Sequence, residues 1–373
     1  MKSTKLLFCD NTLWGLVNFR GDVIKYFKNQ GYNIVLVAPE KEDEQMRTAI
    51  PQDVKYIPVK MGRTTTNPLN DLEYFIRLLK IFNKEKPDFV FNYTIKPNIY
   101  GSIAAKINKC HTTAMITGLG FTFQTDTLKT RIARLLYKIG LKFTDNLLVL
   151  NSYCLEIIQK RKLCNKNKVI LLEGGEGVNL DKFKFQDNKS EKIIFMFIGR
   201  LLWDKGYDEF TKAARIVKKE YPETKFQLLG ALDPSYPKSV PTERIKQDEK
   251  DGLVEYMGFT NNMNDIYMRK GLVITLPSYT EGMNRTLMEA CACGKPIITT
   301  DIPGCRELVI DNKNGFVVKP KDVLSLSEAM KKYIKLSTEK KLQFSRNSRT
   351  HAEEKFDVKN VIKIYEQIIN QFN

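Results

Sequence analysis

The stretch from Tyr279 to Asp301, YTEGMNRTLMEACACGKPIITTD, decides how the chain is read. It follows LVITLP (272–277), a β-branched run that ends like a strand. A polar turn, SYTEG, leads into a helical pattern, NRTLMEACAC, which Gly294 closes before Pro296 opens a further strand. Strand, turn, helix and strand in that order are the repeat of a parallel sheet covered by helices. Glu281 lies in the turn just ahead of the helix, and Glu289 lies inside it, displaced by roughly 7 Å at the helical rise per residue. Leu287, Met288, Ala290, Cys291 and Ala292 flank Glu289, so an unpaired charge there is costly. Between the two carboxylates are the free amides of a first helical turn. A diphosphate fits against such amides, and a carboxylate on either side can accept from hydroxyls, one on a transferred sugar and one on a ribose. The plainer alternatives are a macrodipole partner for Glu281 and a solvated helix face for Glu289.

The same alternation runs almost from end to end. In the first half the strand candidates are 5–9, 33–38, 55–59, 88–93, 113–117 and 146–150; in the second they are 193–199, 225–230, 254–258, 272–277, 296–300 and 315–318. At 373 residues the chain exceeds what one core usually organises, so two domains are expected. Their expected bounds are 1–180 and 190–355, joined by the polar segment 179–192. An amphipathic helix over 356–373 is expected to pack back on the first domain, with Val358, Ile362, Tyr365 and Ile369 at helical spacing.

Composition narrows the class. The start, MKSTKLLFCDNT, has too short an apolar run to read as a signal peptide, and no stretch approaches the ~20 apolar residues that cross a bilayer. Seven scattered cysteines suit reduced core thiols, and Cys291 with Cys293 has the wrong spacing for a zinc knuckle. Sixty Lys and Arg against 43 Asp and Glu give a net charge of +17, which attracts polyanions or an anionic membrane. One segment concentrates it: LKTRIARLLYKIGLKF (128–143) has five basic residues, no acidic one, and Leu and Ile at helical spacing, as in a helix that lies on a membrane surface.

A second constellation is FIGRLLWDKGYDEF (197–210). A strand ends at Gly199, and Arg200 and Lys205 follow before a helix that begins near Tyr207. A guanidinium fork and an ammonium at a strand's carboxyl end suit a diphosphate. GRLLWDKG, EGMNRTLMEACACGKPIITTDIPGCREL and NGFVV together resemble the C-terminal half of family 4 retaining glycosyltransferases of the GT-B fold, two Rossmann-like domains whose parallel sheets face across a cleft. The resemblance implies that Arg200 and Lys205 hold the donor diphosphate, Glu281 touches the donor sugar and Glu289 binds the ribose. By the same token Gly199, Gly282, Met283 and Asn284 line the donor.

The first half resembles the family through NYTIKPNIYGSIAAK and TGLG, which are similar to segments of polysaccharide-assembly members acting on lipid-linked sugars. Where relatives carry a glycine-rich loop after the first strand, this chain offers only Gly15, expected beside the donor phosphates, and no GxGxxG fingerprint. Asn18, Arg20 and Lys96 are expected to meet an acceptor phosphate. Many relatives also have a histidine near the transferred sugar, whereas His111 and His351 read as structural. The expectation is a retaining, metal-independent transfer of a hexose or N-acetylhexosamine, with a UDP-linked donor as co-substrate and no cofactor. The acceptor is a lipid-diphosphate-linked saccharide at the cytoplasmic face of the cell membrane, to which the protein binds peripherally. Two other readings are a nucleotide-sugar 2-epimerase, disfavoured by the scarcity of histidine, and a nucleic-acid-binding scaffold, disfavoured by the lack of aromatic platforms among the basic residues.

Overall fold

The structure, a computed structural model, describes residues 4–39, 44–62, 67–119, 123, 126–234 and 236–372, the side chains of 44, 45 and 129 excepted. Gly120 of the TGLG segment lies outside the described residues. Two compact units result: Met1–Glu176 together with Val358–Asn373, and Gly177–Asp357.

In the first unit β1 (Lys5–Cys9), β2 (Asn33–Pro39), β3 (Lys55–Val59), β4 (Phe89–Tyr93), β5 (His111–Ile116), β6 (Asn146–Val149) and β7 (Val169–Leu171) form one sheet in the order β3-β2-β1-β4-β5-β6-β7. In the second, β8 (Ile194–Ile198), β9 (Lys225–Leu229), β10 (Glu255–Tyr256), β11 (Leu272–Leu276), β12 (Ile297–Thr300) and β13 (Gly315–Val318) follow the order β10-β9-β8-β11-β12-β13. Every pairing is parallel. Helices cover both faces, which is why the central strands read as unbroken apolar runs: Leu6–Cys9 and Leu272–Ile274 are fully buried. Strand order reverses between β1 and β4 in one sheet and between β8 and β11 in the other. Beyond the carboxyl ends of those pairs is where open sheets of this kind take ligands.

One expectation needs correction. The segment 179–192 is no free linker, because it is bonded along the second unit. The Asn188 side chain donates to the Leu272 carbonyl at 2.8 Å and accepts from its amide at 3.2 Å, and the Gln186 amide donates to the Cys293 carbonyl at 3.2 Å. The chain instead leaves the first unit at Glu176 and re-enters it at Val358. There the helix Val358–Asn370 buries Val361, Tyr365, Ile368 and Ile369; Tyr365 Oη lies 2.8 Å from Tyr93 Oη, and Tyr26 Oη donates to Glu366 at 2.6 Å. Strand β7 was not foreseen.

All seven cysteines are free thiols. Lys295 is fully buried, with Nζ donating to Asn188 Oδ1 at 3.1 Å and the Arg269 carbonyl at 3.0 Å, so burial pushes its pKa down to about 8. Between that value and its unfolded pKa the unfolded chain binds the extra proton, so this group's contribution to stability rises with pH. Urea unfolding of the parent and of Lys295→Met is expected to show the parent gaining about 2 kcal/mol relative to the variant between pH 7.5 and pH 10; a pH-independent difference would refute it.

Candidate active site

Because β8 and β11 are neighbours, the loops that leave their carboxyl ends run side by side. The short 3₁₀ turn Trp203–Lys205 ends at Gly206, whose φ is +82°, and a Cβ there would lie 2.2 Å from the Pro277 carbonyl oxygen. Only glycine permits that approach. The Asp204 carbonyl then accepts from the Tyr279 amide at 2.9 Å and from Ser278 Oγ at 3.3 Å, which fastens one loop to the other.

Held this way, Lys205 Nζ lies 2.7 Å from Glu281 Oε1. The side chains are 20% and 11% exposed, so the pair is shielded yet reachable. The same carboxylate oxygen accepts from Asn284 Nδ2 at 3.0 Å, while Asn284 Oδ1 accepts from the Leu287 amide at 2.9 Å and caps the helix Arg285–Ala292. Behind the turn is Gly304, φ +83°, where a Cβ would fall 2.3 Å from the Gly282 carbonyl oxygen; its own carbonyl accepts from the Asn284 amide at 3.0 Å. Gly282 and Asn284 are partly exposed beside Glu281, whereas the Met283 side chain packs against the core. Tyr279 Oη donates at 2.6 Å to Glu209, in the first turn of the helix Tyr207–Glu220, a contact that the sequence did not flag.

The structure does not bring every expected residue to this cluster. Arg200 follows β8 and Gly199, but its half-exposed guanidinium lies 3.7 Å from Asp233 and 5.0 Å from the Tyr236 ring centroid. Glu289 sits on the capped helix with Oε1 accepting from Arg285 Nε at 3.0 Å; Arg285 Nη1 in turn donates to the Gly177 carbonyl at 2.8 Å. Burial pushes the Glu289 carboxyl pKa up, with Arg285 pulling against it. A cation on the same helix one turn earlier is thus how the fold tolerates this carboxylate among apolar neighbours.

In the first unit the acceptor expectations change character. Arg20 is only 2% exposed and is taken up by Glu176 and Asp10, so it offers no surface to a phosphate. Lys96 Nζ is 2.6 Å from Asp71 Oδ1 and 2.6 Å from the Gly62 carbonyl oxygen. Gly15 is buried and its amide donates to Thr12 Oγ1 at 2.9 Å, an internal cap rather than a donor to phosphate. Asn18 is exposed, its Nδ2 donating to the Trp14 carbonyl at 3.0 Å. His351 is buried with Nε2 2.9 Å from the Glu307 carbonyl oxygen, and burial lowers its pKa; His111 opens β5, stacked between Phe89 and Phe372.

Two doubly wound units in one chain are the fold of the GT-B glycosyltransferases. Residues 179–351 match the family described as glycosyl transferases group 1, and residues 5–151 match glycosyl transferase 4-like. Between them the two glycosyltransferase models match most of the chain, which is a glycosyltransferase. It is 28% identical over 376 residues, 95% of this chain and 96% of the relative, to the N,N'-diacetylbacillosaminyl-diphospho-undecaprenol alpha-1,3-N-acetylgalactosaminyltransferase of Campylobacter jejuni. It is 27% identical over 361 residues, 92% of this chain and 90% of the relative, to the UDP-Gal:alpha-D-GlcNAc-diphosphoundecaprenol alpha-1,3-galactosyltransferase of Escherichia coli. In fold it is similar to Anabaena HepE, solved with UDP and glucose, at TM-score 0.80 and 17% identity over 99% of this chain and 100% of that one.

Lys205→Ala and Glu281→Ala are each expected to cut turnover by about 100-fold or more while the far-ultraviolet circular dichroism stays that of the parent. Activity near the parent's in both folded variants would show that this cluster is not the site of chemistry.

Proposed function

We propose that this glycosyltransferase moves a hexose or N-acetylhexosamine, with retention and without a metal ion, from a UDP-linked donor to a saccharide carried on a lipid diphosphate, in the assembly of a surface polysaccharide or glycan. The observation that carries the reading is the Lys205–Glu281–Asn284 cluster at the carboxyl ends of β8 and β11. The acceptor class is supported by the names of two relatives that match nearly the whole chain, both acting on undecaprenol-diphosphate-linked sugars. HepE, solved with UDP and glucose, supports the donor class.

In this scheme the bond from the sugar's anomeric carbon to the diphosphate breaks while the bond to the acceptor oxygen forms on the same face. The proton of the incoming hydroxyl passes to a departing phosphate oxygen. Lys205 turns from Glu281 toward that oxygen, and Arg200 adds a second cation from the same loop. These cations meet the negative charge as it develops and do the work otherwise done by a divalent ion. Glu281, steadied by Asn284, accepts from a hydroxyl of the transferred sugar. Glu289 offers its carboxylate to the ribose, at the far end of the helix's first turns.

An acceptor anchored in lipid supports a peripheral position on a membrane, which this reading puts at the cytoplasmic face. No helix among the described residues is long and apolar enough to cross a membrane. The helix Leu128–Lys142 keeps two apolar faces: Tyr137 and Leu141 are buried, whereas Leu128, Ile132, Leu135 and Ile139 are exposed in one stripe with Phe143 beyond. Arg131, Lys138 and Lys142 are exposed beside it. Arg131 and Arg134 both bond Asp126, Arg134 being largely covered, and the Lys129 side chain lies outside the described residues. Leu69, Leu72 and Ile76 expose a second short stripe on the helix Pro68–Glu85. Apolar stripes edged with lysine suit the interface of an anionic bilayer.

The test of the reaction is nucleotide release across a panel of nucleotide-sugars with polyprenyl-diphosphate-linked acceptors. Acceptor-dependent release of UDP, undiminished by EDTA, with the anomeric configuration of the donor kept in the product, is expected. Inversion, or dependence on an added metal, would overturn those parts of the reading. Independently, Lys138→Glu with Lys142→Glu should weaken co-sedimentation with phosphatidylglycerol vesicles by at least ~10-fold, at about 1 kcal/mol per basic residue; unchanged partition removes the membrane contact.

A further inference from the structure

The first sheet's switch point carries an exposed aromatic ring on a buried charged mount, and the transfer scheme uses neither. Trp14 lies in the turn of helix that follows β1 and is 42% exposed, its ring packed edge-on against Phe19 at 5.0 Å between centroids.

Beneath it the fixation is unusually elaborate. Arg20 Nε stands 2.8 Å from Glu176 Oε2, Nη1 stands 3.4 Å from Asp10 Oδ2 and donates to the Gly15 carbonyl at 3.3 Å, and the guanidinium carbon lies 4.4 Å from the Tyr93 ring centroid. A Cβ at Gly15 would come within 2.9 Å of Asp10 Oδ2, so the backbone next to Trp14 rests directly on this cluster. Asp10 follows β1, and Thr94 follows β4 with φ +68°, a left-handed conformation that a β-branched residue adopts only under constraint. Thr94 Oγ1 lies 3.5 Å from Asp10 Oδ1. Among the described residues nothing donates a hydrogen bond to Asp10 Oδ2. Two carboxylates meet at one buried guanidinium, and stability alone would be served as well by apolar side chains. Strain, an under-bonded carboxylate and a close-packed glycine therefore converge on one turn.

We propose that Trp14 is the platform on which the acceptor saccharide seats, the C–H face of a pyranose lying on the indole, and that Arg20 is the positioning residue that holds the platform. This rests on the reading above that the acceptor is a lipid-linked saccharide and that the donor belongs to the second unit. Arg20 grips the Gly15 carbonyl, while Glu176 and the face of Tyr93 orient its fork; a lysine supplies the charge but not the fork.

The chain has two tryptophans, so in a Trp203→Phe background the indole emission is that of Trp14 alone. Titration with the polyprenyl-diphosphate saccharide in detergent should quench or shift that emission, whereas UDP should not. In steady-state assays on the full chain, Trp14→Ala should raise the acceptor KM by about 10-fold or more, Trp14→Phe should restore part of it, and Arg20→Lys should raise it similarly. The donor KM and acceptor-independent hydrolysis of the donor should stay within about 2-fold in all three. An unchanged acceptor KM in Trp14→Ala, or emission that responds to plain phosphatidylglycerol vesicles but not to the acceptor, overturns the proposal; the second result reassigns Trp14 to the bilayer interface. A parent protein that forms no acceptor-dependent product overturns instead the reading of the reaction.

Discussion

The meeting of Lys205 and Glu281 in the second unit depends on one close approach, that of the Gly206 backbone to the carbonyl of Pro277. Parallel neighbours such as β8 and β11 send their loops out on the same edge, but nothing in the sheet requires those loops to touch. A position without a side chain lets them do so, and the Asp204 carbonyl then ties the second loop down through Tyr279 and Ser278. Lys205 and Glu281, far apart in the chain, arrive at hydrogen-bond distance as a result. The backbone that carries both side chains is thereby held in place by contacts between the two loops. Gly304 does the same from the opposite side by allowing the turn at Gly282 to sit close beneath Asn284.

The two sheets share a strand order and use it differently. At the second switch point the charged groups are partly exposed and the apolar ones, Met283 among them, face inward. At the first, Asp10 and Arg20 are buried and an indole faces out. An anionic leaving group wants accessible cations. A neutral sugar wants a flat apolar surface held at a fixed height, and the first turn provides that.

Much of the architecture was legible because buried parallel strands write themselves as short β-branched runs, from KLLFC to GFVV. Strand β7 escaped because its three residues are only half buried and leave too little pattern. The polar segment 179–192 read as a linker since its attachments, through Asn188 to Leu272 and Lys295, join positions that no local periodicity connects. The position of Lys205 and Glu281 at strand ends was visible for the same reason that the strands were. Depth was not visible: Arg20 and Lys96 announce a charge, but their partners Glu176 and Asp71 are distant in sequence, so a buried ion pair looks like a surface cation. Asn284 was read through its backbone, whereas its side chain both caps the helix and steadies Glu281, a double use that one letter does not convey.

The return of the chain at Val358 has a consequence for how the molecule is made. Tyr93 and Phe91 close over Tyr365, and Tyr26 over Glu366, so the opening unit lacks part of its interior until the final helix has left the ribosome. Synthesis from the amino terminus therefore produces a complete second unit while the first still shows bare aromatic rings, the reverse of the order in which the two are encoded.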